Sequence, residues 1–146
     1  MADRAAAVTL PGGGRANARF RAVLNAVVPE AAGLAENEWQ EAQAIIARAL
    51  ALRPPKVRRQ IGRFMRVLDV TSFVRHGRTL SALPVGDATR LLESLSRSKL
   101  LLLRRGVWGV RTLAFMGYYA RAEAARAIGY RASAAGWPAR PEAHRR

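Results

Sequence analysis

Apolar residues recur along most of this chain at intervals of three and four, and proline or glycine stands at most points where that rhythm breaks. Such spacing lines apolar side chains along one face of a helix, and no stretch shows the period of two that a half-buried strand needs. The expectation is an all-α fold: a single compact bundle of about five to six helices with an irregular aromatic C-terminal segment. The 146 residues suit one domain, since domains typically hold ~100–200. A hydrophobic content of 50% is enough to fill a core and excludes a wholly disordered basic tail.

The pattern divides the chain as follows. Residues 1–15 read as a flexible arm ending in Gly12-Gly13-Gly14. A first helix over 16–28 carries Phe20, Val23, Leu24, Val27 and Val28 on one face and stops at Pro29. Asn37 is the expected N-cap of the second helix, with Gln40 completing a capping box and Glu38 and Glu41 complementing the helix dipole. That helix runs to Leu52 with Trp39, Ala42, Ile45, Ile46, Ala49 and Leu50 inward; Pro54-Pro55 then breaks it and opens a third over 55–75. The third helix has Val57, Ile61, Phe64, Met65 and Leu68 as its core stripe and ends at His76-Gly77. A fourth helix is expected over 87–97 with Asp87 as N-cap and Leu91, Leu92 and Leu95 inward. A fifth, over 98–119, is apolar on most faces and so is the expected central helix. A short sixth over 121–128 ends at Gly129 and closes a helical domain of residues 16–132. Residues 133–146 read as an irregular basic tail, partly docked through Trp137.

The charge is lopsided, with 25 basic residues against 10 acidic ones and a net +15. All but Lys56 and Lys99 of the basic residues are arginine, which pairs with carboxylates and phosphates in a planar fork and stacks on aromatic rings. The surplus points to an acidic partner, nucleic acid being the first class to weigh. A helix-turn-helix reader needs a solvent-facing recognition helix, and the third helix is the candidate. Its Arg58, Arg59, Arg63 and Arg66, however, are spread around the polar face, as on any solvated helix.

Catalytic chemistry finds little footing. The chain has no cysteine, which excludes disulfides, iron–sulfur ligation and thiol nucleophiles, and only two histidines, which exclude a histidine-rich metal site. The carboxylates cluster at helix starts, where capping and dipole roles account for them. His76 stands beside a helix-ending glycine and complements the dipole there; Ser94, Ser96 and Ser98 sit in no nucleophile elbow. Neither phosphate-cradling glycine motif occurs. The N-terminus has no apolar core of a signal peptide, and Arg104, Arg105 and Arg111 interrupt the most hydrophobic window, Leu100 to Ala120, so no transmembrane span is expected. The default compartment is therefore the cytoplasm.

What remains is contact chemistry. Arg104, Arg105, Trp108 and Arg111 on the fifth helix, together with the aromatics Tyr118, Tyr119, Tyr130 and Trp137, are the residue types enriched at binding hot spots. Arg97 and Lys99 extend the basic cluster at the start of that helix, an arrangement that also suits acidic lipid.

The run Gly117-Tyr118-Tyr119, Glu123, Ile128-Gly129-Tyr130, Gly136-Trp137 after a long apolar helix resembles the small subunit (subunit 3) family of gluconate 2-dehydrogenase. Phe20, Leu24 and Val28-Pro29 are similar to that family's opening helix. Phe64, Leu68, Asp69 and Phe73 are similar to its middle helix, and Leu83, Leu91, Leu92, Leu95 and Ser98 to the segment leading into the long one. The likeness covers about residues 18–138. It implies a non-catalytic accessory subunit that holds no cofactor itself. Such a subunit binds and stabilises a large FAD-containing flavoprotein of the glucose–methanol–choline type, which oxidises an alcohol or sugar hydroxyl. Members of that family often begin with a twin-arginine export signal; here Arg58-Arg59 and Arg104-Arg105 are internal. A periplasmic or membrane-associated complex is the expectation if a leader precedes this sequence or if the partner is exported. The alternative expectation is a basic helical nucleic-acid-binding protein.

Overall fold

The computed structural model of the chain describes residues 13–130. They form six α-helices: α1 (Gly13–Val27), α2 (Glu36–Ala51), α3 (Pro55–His76), α4 (Val85–Ser96), α5 (Leu101–Tyr119) and α6 (Ala122–Ala127), with 3₁₀ turns at Pro29–Gly33 and Leu80–Ala82. There is no strand among the described residues, as the spacing predicts, and no described helix is long and apolar enough to cross a membrane. The expected tail, with Trp137, lies outside the described residues.

α5 is the axis of the bundle and packs on α1, α2, α3, α4 and α6. Its Val107, Val110, Leu113 and Ala114 meet Phe20, Val23 and Leu24 of α1, Trp39, Ala42 and Ile46 of α2, Met65 and Leu68 of α3, and Leu91, Leu92 and Leu95 of α4 in one buried cluster. Removing each large aliphatic side chain from water stabilises the fold by about 1.5–3 kcal/mol, whereas an exposed ion pair contributes about 0–1 kcal/mol, so this cluster sets the architecture.

Polar contacts tie the connections onto it. The Asp69 carboxylate accepts from Arg19 Nε and Nη2 of α1 at 2.9 and 2.7 Å, and with its other oxygen from the Leu80 N–H at 2.9 Å. Ser72 donates to the Arg78 carbonyl at 2.7 Å, and Thr89 to the Ala26 carbonyl at 3.0 Å. Gly77 closes α3 at φ 67°, as its position predicts, with its N–H on the Phe73 carbonyl at 2.8 Å.

Several helix boundaries differ from the sequence expectation for local reasons. Gly13, Gly14 and Arg15 belong to α1 rather than to an arm. Gly13 takes a positive φ of 68°, which glycine adopts freely, and Ala16 and Phe20 bury the inner face from there on. α1 ends at Val27 because Val28, preceding Pro29, is held extended. The N-cap of α2 is Ala35, not Asn37. Glu38 reaches back to the Ala35 N–H at 2.9 Å, and alanine has no side-chain oxygen to return the bond, so half a capping box forms. α4 begins at Val85 behind Pro84, which puts Asp87 inside the first turn, paired with Arg90 at 2.6 Å, instead of at the cap. α5 begins at Leu101, three residues late, because Ser98 Oγ accepts the Leu100 N–H and holds a turn there.

Two glycines let α5 approach its neighbours. A Cβ on Gly106 would collide with the ring of Phe64, and one on Gly117 would come within 2.7 Å of Ile46 Cδ1. At Gly109 the same atom would meet nothing within 4 Å. Gly106→Ala is therefore expected to destabilise the protein by about 1–3 kcal/mol through overpacking. Gly109→Ala should leave it unchanged or stabilise it by up to about 1 kcal/mol through helix propensity. Urea denaturation of the two variants checks the contrast; equal midpoints would contradict the packing described here.

Candidate functional site

α5 was expected to be central because it is apolar on most faces, and it is central. Yet a large share of its apolar surface points away from the core: Leu101 is 49% exposed, Trp108 73% and Phe115 42%. Leu101, Arg105, Trp108, Thr112, Phe115 and Tyr119 are separated alternately by four and three residues, the spacing of a seam that faces a second partner. The core residues Val107, Val110, Leu113, Ala114 and Gly117 occupy the opposite side.

The structure gathers four of the expected contact residues around one shallow hollow. Arg104, Arg105, Trp108 and Arg111 line it, with Ser96, Thr112 and Phe115. Phe115 stacks on Tyr119 with ring centroids 6.2 Å apart, so Tyr119 extends the same face toward the end of α5. Arg104 is steadied by a hydrogen bond from Nη1 to the Ser98 carbonyl at 3.2 Å.

Tyr118 has a different neighbourhood. It packs on the core, stands edge-on to Tyr119 at 5.0 Å and lies under the Arg121 guanidinium at 4.8 Å. Arg121 is almost wholly buried and donates from Nη1 to Glu38 at 2.9 Å and from Nε to the Tyr118 carbonyl at 3.3 Å. Tyr118 and Arg121 thus fasten the end of α5 to the start of α2. Tyr130 lies beyond α6, 65% exposed, and makes no ring contact among the described residues. Trp137 lies outside the described residues.

Sequence reasoning missed Phe115 as part of this face and Arg121 as the residue that fastens the end of α5 beneath it. Phe115 carries a signal in hindsight, since it falls on the 4–3 seam with Trp108. Arg121 carries none, because its partner Glu38 is 83 residues away.

The field around the seam is one-sided. The sequence contains no carboxylate between Glu93 and Glu123, while Arg97, Lys99, Arg104, Arg105 and Arg111 lie between them with Arg121. Only Arg121 of these is ion-paired among the described residues. The seam therefore presents aromatic surface framed by guanidinium groups without ion-pair partners among the described residues, a combination whose chemistry complements an acidic, partly apolar surface. The chain matches no protein-family model, no curated protein and no solved structure.

Glu38 is held below the ordinary glutamate range, first by the Ala35 N–H and then by Arg121. A carboxyl lowered in the native state adds stability above its unfolded value and loses that contribution as pH falls through the native one. Urea midpoints should therefore fall on acidification from pH 7 through the carboxylate range. Glu38→Gln should be less stable at pH 7 and should flatten this pH dependence; a variant with an unchanged slope would show that Glu38 is not held in this way.

Proposed function

We propose that this chain is a non-catalytic accessory subunit that docks, through the outer face of α5, on an acidic patch of a larger protein and stabilises that protein's folded form. The observation that carries the reading is Trp108, a large aromatic side chain exposed in the middle of a 4–3 seam and flanked by Arg104, Arg105 and Arg111. Arginines beside an exposed tryptophan favour a protein surface, where carboxylates take the guanidinium forks and an apolar pocket takes the indole. Binding only the native partner would add to that partner's stability by mass action.

The resemblance in sequence supports a specific partner class: an FAD-dependent flavoprotein of the glucose–methanol–choline type that oxidises an alcohol or sugar. In that reading the flavin stays with the partner. Tyr118 acts indirectly, fixing the end of the helix on which Phe115 and Tyr119 are displayed.

Co-expression with such a flavoprotein encoded beside this chain tests the reading. The expected result is co-elution and a higher flavin content of the partner. Trp108→Ala should weaken the complex by about 2 kcal/mol or more, roughly thirtyfold, and Arg104→Glu with Arg111→Glu should abolish it, both without loss of helicity. A partner equally soluble and flavin-loaded alone, with no complex, would remove the proposal. Binding to duplex or single-stranded DNA that weakens steeply with salt would favour the nucleic-acid alternative instead.

A further inference from the structure

A second unpartnered region lies around the helix from the seam. Between α3 and the first half of α5 runs an open groove of ≈ 710 Å³, within the ~300–1,000 Å³ common for small-molecule sites. Ile61, Phe64 and Val67 of α3 form one wall, and Leu101, Leu102 and Leu103 form the other. Its floor is open at Gly109, where a Cβ would touch nothing within 4 Å, while the Phe64 ring closes the space beside Gly106. Leu102, seven residues before Gly109 and so on the same side of α5, stands at the lip with 79% of its surface exposed.

The groove's lining gives its occupant a definite chemistry. The walls are aliphatic, with Gln60 the one neutral polar side chain among them. A peptide laid there would lose the water bonded to its amides and find few replacements, at a cost that a hydrocarbon does not meet. The edge, by contrast, is cationic: Arg63 and Arg105 both line the groove, and neither makes an ion pair among the described residues. No carboxylate occurs between Glu41 and Asp69, a stretch that includes the first half of α3, and α5 has none at all. The stretch of α3 from Val57 to Val67 spans roughly 15 Å at the helical rise, about the length of an extended dodecyl chain.

We propose that the groove between α3 and α5 binds the hydrocarbon chain of an anionic amphiphile, with Arg63 and Arg105 taking its carboxylate or phosphate head. The head group has two sources, a free long-chain carboxylate or an anionic lipid in a bilayer. The groove adjoins the outer seam and shares Leu101 and Arg105 with it, but its filling does not depend on that seam having a protein partner.

Calorimetric titration of the full chain with sodium dodecanoate, beside its neutral-headed counterpart dodecyl maltoside, tests the proposal. One saturable site is expected for dodecanoate, at least tenfold tighter than for the maltoside. Gly109→Leu, which fills the floor, and Leu102→Glu, which sets an anion at the lip, should each weaken it tenfold or more. Gly109→Leu should melt no lower than the wild type, and Leu102→Glu changes an exposed side chain, so circular dichroism separates lost binding from lost fold. Arg63→Gln with Arg105→Gln should bring dodecanoate down to the maltoside's affinity. Co-sedimentation with phosphatidylglycerol vesicles, compared with phosphatidylcholine vesicles, distinguishes the sources. Retention on the former that Gly109→Leu abolishes, without dodecanoate binding, assigns the bilayer lipid. No saturable binding of dodecanoate and no preference for phosphatidylglycerol would overturn the proposal. So would equal binding by the wild type, Gly109→Leu and Leu102→Glu, or equal affinity for dodecanoate and the maltoside.

Discussion

The ring of Phe64 lies against the backbone of Gly106, and Ile46 presses on the backbone of Gly117. These two close approaches fix how α5 sits against α3 and α2, and much else in the structure depends on them. The glycines are eleven residues apart, about three helical turns, so they lie on nearly the same side of α5 with Val110 and Leu113 between them. With that side turned inward, the 4–3 row of Leu101, Arg105, Trp108, Thr112, Phe115 and Tyr119 has no place left but the outside. Leu102 and Gly109 fall on the arc between. A bulkier residue at position 106 would push α3 outward and alter the groove and the seam together.

The ion pairs have a different task. Arg19 and Asp69 join α1 to α3 and also hold the turn at Leu80; Arg121 and Glu38 join the end of α5 to the start of α2. In both cases the carboxylate also accepts a backbone N–H, so losing it would leave a donor unsatisfied as well as a cation unpaired. These contacts position segments that the apolar core reaches poorly. The core supplies the driving force, and the pairs select one arrangement of the connections.

Much of the fold was legible in the sequence because helical spacing and proline or glycine breaks report local physics. All six helices fall where the rhythm places them, and Gly77 ends α3 in the left-handed conformation its position implies. The misplaced starts of α2 and α4 came from competition between equivalent local signals. Asn37 with Gln40 and Ala35 with Glu38 have the same spacing, and the second set prevails because a carboxylate reaches the free N–H and Trp39 must face inward. The candidate face was legible in its residue types but not in its grouping. Arg104, Arg105, Trp108 and Arg111 come together because they are neighbours on one helix, whereas Tyr118 and Tyr119, adjacent in sequence, part by about 100° around the axis and serve different surfaces. The third helix shows the same limit. Its expected core stripe is buried only at Met65 and Leu68, and Val57 and Ile61 turn out to line a groove that is open to solvent.

The surplus of positive charge and the leftover apolar surface have a common location. Residues 42–68 and 94–122 contain no carboxylate and thirteen cations, of which Arg121 alone is ion-paired among the described residues. Like charges held at this density repel one another and work against the compact state. Pairing does not offset that repulsion here, so packing around α5 must. Any anionic surface or ligand that settles on α3 and α5 relieves the repulsion and covers Trp108 or the Leu100–Leu102 lip in the same step. The two effects reinforce each other: a neutral apolar ligand would leave the arginines unanswered, and a polyanion without apolar surface would leave the leucines and the tryptophan in water. In physical terms a ligand both acidic and apolar would therefore complement this surface better than a small polar one.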